Sequence, residues 1–246
     1  MEAMPKHVLN RLDELVAAEW KRHPNASDAN ALGAPVGQVI EGYQFVRMAF
    51  ARYEVSAAAF MTALTRLHDS IAGKSGSATP EQARLMEQRR TSSVTNQYEM
   101  QCFFLFSALL LDKIARLVLF YFGQAKGVSL NSHHSFLKQQ TTYATRKELL
   151  VPDGLAAAQQ QLQGKIVDVR DKLVTHVNNP RAAHATTFNI KKAGTGFGVT
   201  HIHPKPSDEW RQADPPDDLM PLIDQYLLLV VDLLTVNADR RHIPQR

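Results

Sequence analysis

Apolar residues recur at helical spacing over most of this 246-residue chain, and that period constrains its fold more than any other feature. The clearest stretch is Leu162, Ile166, Val169, Leu173 and Val177, at spacings of 4, 3, 4 and 4. Each residue of an α-helix advances about 100° around the axis, so these side chains share one face. Val8, Leu9, Leu12, Leu15 and Val16 mark a first helix from Lys6 to Arg22 in the same way. A long helix is expected from about Val36 to Ala72, with Val39, Tyr43, Val46, Phe50, Tyr53, Phe60, Leu64 and Leu67 as its buried stripe. Gly73 to Thr79 reads as a flexible linker, and Pro80 suits the first turn of a helix reaching Phe122. Gly123 can end that helix, and Ser132 can cap another through Leu150. Val151-Pro-Asp-Gly154 is a turn before the helix from Leu155 to Val177, which Asn178-Asn-Pro180 ends. The last helix starts at Asp217 or Asp218, with Leu219, Leu222, Ile223, Tyr226, Val230, Leu233 and Leu234 as its stripe.

Two runs break the pattern. Thr186 to Ile190 and Gly198 to His203 are rich in β-formers and flank Lys191 to Phe197, which reads as a β-hairpin. Pro204, Pro206, Pro215 and Pro216 make a stiff connector after it. The expected fold class is all-α: a bundle of about five to six helices with a small β-hairpin inserted before the last. A single domain over 1–246 is expected, with an N-terminal helix and loop at 1–35 and the hairpin at 186–203.

Apolar residues make up 44% and charged residues 21%, the balance of a soluble globular protein. Cys102 is the sole cysteine, so no internal disulfide can form and a cytoplasmic location is expected. The N-terminus has no apolar signal segment. Cys102 to Phe122 is interrupted by Asp112, Lys113 and Arg116, and Leu219 to Val236 by Asp224 and Asp232. Both are expected to be core helices, with no membrane partner. Within the first, Asp112 and Arg116 are spaced for an i,i+4 ion pair.

The net charge of +4 permits an anionic partner without demanding one. It is uneven: from Lys165 to Lys205 there are seven Lys and Arg against Asp168 and Asp171. A solvated basic face is the bland reading of that bias. Inside it lies Arg170-Asp-Lys-Leu-Val-Thr-His176. Arg170 can hold charge on a phosphate through its planar fork of donors. His176 can exchange a proton near neutral pH. With 16 Arg and 10 His in the chain, about two such spacings arise by chance, so context must carry the argument. The pair borders the buried stripe, and His176 is near the helix C-terminus, where the dipole favours imidazolium. Six residues apart is about 120° around a helix, so the two do not face each other. A second copy packed across a two-fold axis could bring both pairs into one cleft.

Other constellations are weaker. His201 and His203 share a strand face and, with His184 or His176, could ligate zinc, but exposed hairpin histidines are the simpler reading. They could also help grip RNA beside Lys191 and Lys192. His133-His134 at a helix start reads as solvent-exposed. Gly194-Thr-Gly-Phe-Gly198 lacks the Lys-Ser/Thr of a phosphate loop and reads as a hairpin turn.

The order Arg170, Asp171, then His176 after four more residues, late in a helical chain, resembles the signature of the HEPN superfamily. That resemblance implies a helical bundle, a homodimer with a composite active site, and a metal-independent endoribonuclease of toxin–antitoxin or antiviral systems. It implies Arg170, Asp171 and His176 as the catalytic set and RNA as substrate. The expected products are a 2′,3′-cyclic phosphate and a 5′-OH. Lys172, Arg181, Lys191, Lys192, His201 and His203 are the expected RNA-binding residues. No cofactor and no metal are expected, and an antitoxin or defence protein is an expected partner. The alternative is a catalytically inactive helical module that binds a partner protein or nucleic acid.

Overall fold

The computed structural model describes residues 6–24, 31–72, 77–171, 187–193, 196–204, 210–213 and 216–243, with only the backbone described for the strands. The helices are α1 (Lys6–Arg22), α2 (Gly33–Ile71), α3 (Pro80–Phe122), α4 (His133–Lys147), α5 (Leu155–Leu162) and α6 (Pro216–Val236). After α5 the chain passes through a π-turn (Gln163–Val167) into a last α-turn (Asp168–Arg170). The strands are β1 (Thr187–Ala193), β2 (Gly196–Pro204) and β3 (Trp210–Ala213).

The expected fold class needs correction. The chain is not an all-α bundle carrying one isolated hairpin: it holds a three-stranded antiparallel sheet in the order β1-β2-β3. Trp210–Ala213 pairs with His201–Pro204, inside the segment expected to be a stiff connector. The four prolines prompted that expectation, but none falls within Trp210–Ala213, so no N–H that this edge strand turns toward β2 is missing.

The helix ends follow local chemistry. At α3, Thr79 and Gln82 form a capping box: the Thr79 N–H donates to Gln82 Oε1 at 2.8 Å, and the Gln82 N–H to Thr79 Oγ1 at 3.2 Å. Ser132 caps α4 by accepting from the Ser135 N–H at 3.2 Å. Gly123 leaves α3 at φ +71°, and any Cβ there would meet the His242 imidazole at 2.6 Å, so both backbone and space call for glycine.

Two compact units divide the chain. The first comprises Met1–Val46, Phe106–Val169 and Asp217–Arg246; the second comprises Arg47–Leu105 and Arg170–Pro216. In the first, Leu12, Val39, Tyr43, Leu110, Ile114, Val118, Leu155, Ile166, Ile223 and Leu234 are among the buried core residues. By length and composition α6 is the one described helix that could cross a membrane. Here its apolar side packs into the core, while Asp224 accepts from Tyr43 Oη at 2.7 Å and Asp232 from Arg11 at 2.7 Å. Asn237, just beyond α6, clasps Leu150: its Oδ1 accepts from the Leu150 N–H at 2.7 Å and its Nδ2 donates to the Leu150 carbonyl at 2.8 Å.

His133 is fully buried rather than solvent-exposed. Its ring Nε2 lies 3.2 Å from the Gln159 carbonyl, and the ring meets Tyr226 edge-on. Its backbone N–H donates to Asp112 Oδ1 at 2.8 Å, so Asp112 serves the start of α4. Arg116 is exposed and points to the Asn131 carbonyl at 3.5 Å. Burial pushes the His133 imidazole below its ordinary value, against the opposing pull of the Gln159 carbonyl and Asp112. The unfolded chain therefore binds this proton more readily than the folded one. Stability from His133 is fully present above about pH 6.5 and is lost as pH falls below it, by at most about 1.4 kcal/mol per pH unit. Urea midpoints should drop between pH 7.5 and 5.5 by more in the wild type than in His133→Gln; equal drops would contradict this.

In the second unit, Tyr53, Phe60, Ala63 and Leu67 of α2 and Leu85, Met100, Phe103 and Phe104 of α3 are buried. Ser56 Oγ donates to Asn96 Oδ1 at 3.1 Å in the same interior. Arg52 grips Glu99 Oε1 through Nε at 3.1 Å and Nη2 at 2.7 Å.

Candidate functional site

The helix that carries the Arg-Asp motif is not uniform. The Asp168 N–H donates to the Gln163 carbonyl, five residues back, which widens one turn. The Gln163 side chain closes the same turn again, with Nε2 donating to Asp168 Oδ1 at 2.9 Å. Ile166 and Val167 stay buried through it. One extra residue in a turn shifts everything after it by about 100° around the axis. Arg170 therefore does not hold the face that uninterrupted helical spacing assigns it. Gly164, a weak helix former in the widened turn, is the sole sequence signal of this break.

Arg170 opens the second segment of the second unit. Its side chain is about 20% exposed, and its Nε and Nη2 both donate to Asp171 Oδ1, at 2.8 and 2.6 Å. Adjacent residues thus hold the guanidinium on one carboxylate oxygen, a charge-assisted pair short enough to fix its direction. Asp171 is more open, at 42%. His176, Lys172 and Arg181 lie outside the described residues.

The other expected RNA-binding positions fall on the sheet. Its register pairs Lys192 with Phe197, Lys191 with Gly198, Phe188 with His201 and His203 with Arg211. Alternation along a strand then sets Lys192, His201, His203 and Arg211 at positions of one face, together with Phe188 and Phe197. Lys191 belongs to the opposite face. Backbone register thus groups three of the four nominated sheet residues and separates the fourth. Sequence reasoning missed Arg211, because no third strand was expected.

Charge follows the division into units. The second unit holds fourteen Lys and Arg against nine Asp and Glu, a net +5, in a chain of net +4. The first unit is therefore net −1. The six nominated residues that are described, Arg170, Asp171, Lys191, Lys192, His201 and His203, fall within the second unit's segments. Among the described residues no group of three or more His, Cys, Asp or Glu could hold a metal ion. No family model, no curated protein and no solved structure matches this chain.

Proposed function

We propose that this protein is a metal-independent endoribonuclease of the HEPN kind, acting as a toxin or in antiviral defence. The observation that carries the reading is charge segregation: the unit containing Arg170, Asp171 and the nominated lysines and histidines holds the whole net positive charge. A polyanion is drawn to such a unit by release of its counterions. RNA supplies its own nucleophile, the 2′-OH. His176 takes that proton, or gives one to the departing 5′-oxygen, as the oxygen attacks the adjacent phosphorus. Arg170, aimed by Asp171, stabilises the charge that builds on the phosphoryl oxygens. The products are a 2′,3′-cyclic phosphate and a 5′-OH.

A second reading, a catalytically silent binding module, is favoured by the same ion pair. Asp171 occupies two donors of Arg170 and offsets its charge. Incubating the purified protein with single-stranded RNA in EDTA separates the two readings, since only the enzyme yields cyclic-phosphate ends.

Binding itself has a signature that both readings share. For a single strand, each phosphate that the protein no longer neutralises reduces the slope of log K against log salt by about 0.7. Replacing Lys192 by Ala should therefore lower that slope by about 0.7 and weaken binding alike for all sequences, whereas Lys191→Ala, on the opposite face, should leave it near wild type. A slope unchanged in Lys192→Ala would remove this lysine from the interface.

A further inference from the structure

The described strands carry Lys191, Lys192 and Arg211 and no Asp or Glu. They also carry five residues with flat rings: Phe188, Phe197, His201, His203 and Trp210. Register sorts these unequally. Phe188 pairs with His201, Lys192 with Phe197, and His203 with Arg211. Residues paired across a ladder belong to one face, and alternate positions along β2 share that face. Four of the five rings and two of the three cations therefore share a face, while Trp210 and Lys191 take the other.

Same-face positions recur about every 7 Å along a strand, so the row from Phe197 to His203 on β2 spans about 20 Å. Phe188 is set beside His201 and Arg211 beside His203, on strands about 5 Å to either side of β2. Ile190 and Val199 make the one rung between the Phe197 and His201 rungs. Among the described residues this sheet face thus unites rings, an apolar rung and cations, with no carboxylate to repel a phosphate. Bases stack on the rings of Phe and His, while Lys and Arg neutralise the phosphates between them. In a duplex each base is already stacked on both sides, so only an unpaired strand can use such a row. Packing against a helix would ask for apolar volume at Phe188 and Phe197, but not for a ring.

We propose that this face of the sheet is a stacking platform for unpaired RNA bases, with Phe188 and Phe197 holding the bases and Lys192 and Arg211 the phosphates. The inference rests on the RNA-binding part of the proposed function and not on cleavage. It adds how the strand is selected: single strand over duplex, with little preference among bases, since every base has a π-face. It also gives the sheet a task that the helices do not share, holding the strand rather than cutting it.

The test is fluorescence anisotropy of the full chain with a labelled, short 2′-O-methyl oligouridine, which has no free 2′-OH and cannot be cut. The same strand annealed to its complement is the duplex probe. Wild type should prefer the single strand by about tenfold or more. Phe188→Leu and Phe197→Leu keep an apolar side chain for packing and remove the ring. Each should weaken single-strand binding by about tenfold, the effect of losing one stacked base, and change duplex binding by less than about twofold. The slope of log K against log salt should stay as in wild type, because no phosphate contact is lost. Phe188→Tyr and Phe197→Tyr, which keep the ring, should bind within about threefold of wild type. Circular dichroism checks that each variant is folded. Arg211→Gln, which alters no ring, gives a separate readout, a slope lower by about 0.7. A wild type that binds neither probe or prefers the duplex, folded Leu variants that bind the single strand as wild type does, or an unchanged slope in Arg211→Gln would overturn the proposal. Ring-dependent binding without cyclic-phosphate ends from unmodified RNA would end the ribonuclease reading and uphold the platform. Cleavage with ring-independent binding would do the reverse.

Discussion

Replacing His176 by Ala should lower RNA cleavage by about 10³-fold while leaving RNA affinity within about threefold, as removal of a general acid or base does. An imidazole that only transfers a proton contributes to the transition state, not to the bound ground state. Arg170→Ala should cost about 10²- to 10³-fold, because the charge on the phosphoryl oxygens loses its donor. Asp171→Asn should cost less than either. The amide still accepts a hydrogen bond from Arg170, so the 2.8 and 2.6 Å contacts can persist without the full charge. All three ratios should be the same with and without EDTA. Cleavage unchanged in His176→Ala would exclude this residue as the proton carrier. Absence of cleavage in the wild type, with binding retained, would leave the silent-module reading.

Removing Arg241 should destabilise the first unit by about 3–5 kcal/mol, the usual effect of stranding one partner of a buried ion pair. The Arg241 side chain is 2% exposed and that of Glu19 7% exposed. Arg241 Nε donates to Glu19 Oε1 at 2.8 Å, and Nη1 donates to the carbonyls of Phe120 and Tyr121 at 3.1 Å each. Those carbonyls belong to the last turn of α3, where the helix itself leaves acceptors without partners. The guanidinium carbon also sits 4.8 Å from the centre of the Phe120 ring and 5.0 Å from that of Tyr121. Arg241→Ala removes all of this and leaves the Glu19 carboxylate buried. Urea denaturation of the full chain measures the loss. The double variant Glu19→Gln/Arg241→Met should lose clearly less than Arg241→Ala alone, because no buried charge is then left unpaired. A loss below about 1 kcal/mol in Arg241→Ala would show that the pair contributes no more than an exposed one.

These two predictions rest on different kinds of knowledge. The Arg170-Asp171 pair was readable because the residues are adjacent and any fold keeps them close. The Arg241–Glu19 pair spans most of the chain, and nothing in the sequence around either residue marks it. His133 shows the same limit. Two histidines at a helix start look like surface residues until Gln159 and Tyr226 close over one of them. The π-turn was hidden because the stripe Leu162, Ile166, Val169 keeps helical spacing through it. Only the hydrogen bond from Asp168 back to Gln163 reveals the shift in face.

The sequence by itself determined the helices up to the widened turn at Gln163–Val167 and again from Pro216, and the physical reason is local. Apolar spacing, the Thr79–Gln82 box, the Ser132 cap and Gly123 act within a few residues, so composition and order suffice to place them. The tertiary structure alone decided the third strand, whose hydrogen bonds come from β2 rather than from its own neighbours. It also decided which charges are buried together. Above all, it placed Arg170 and the described strands in one unit with Arg47–Leu105. Such pairings join residues far apart in the chain, and their energy comes from desolvation and proximity that no single segment contains.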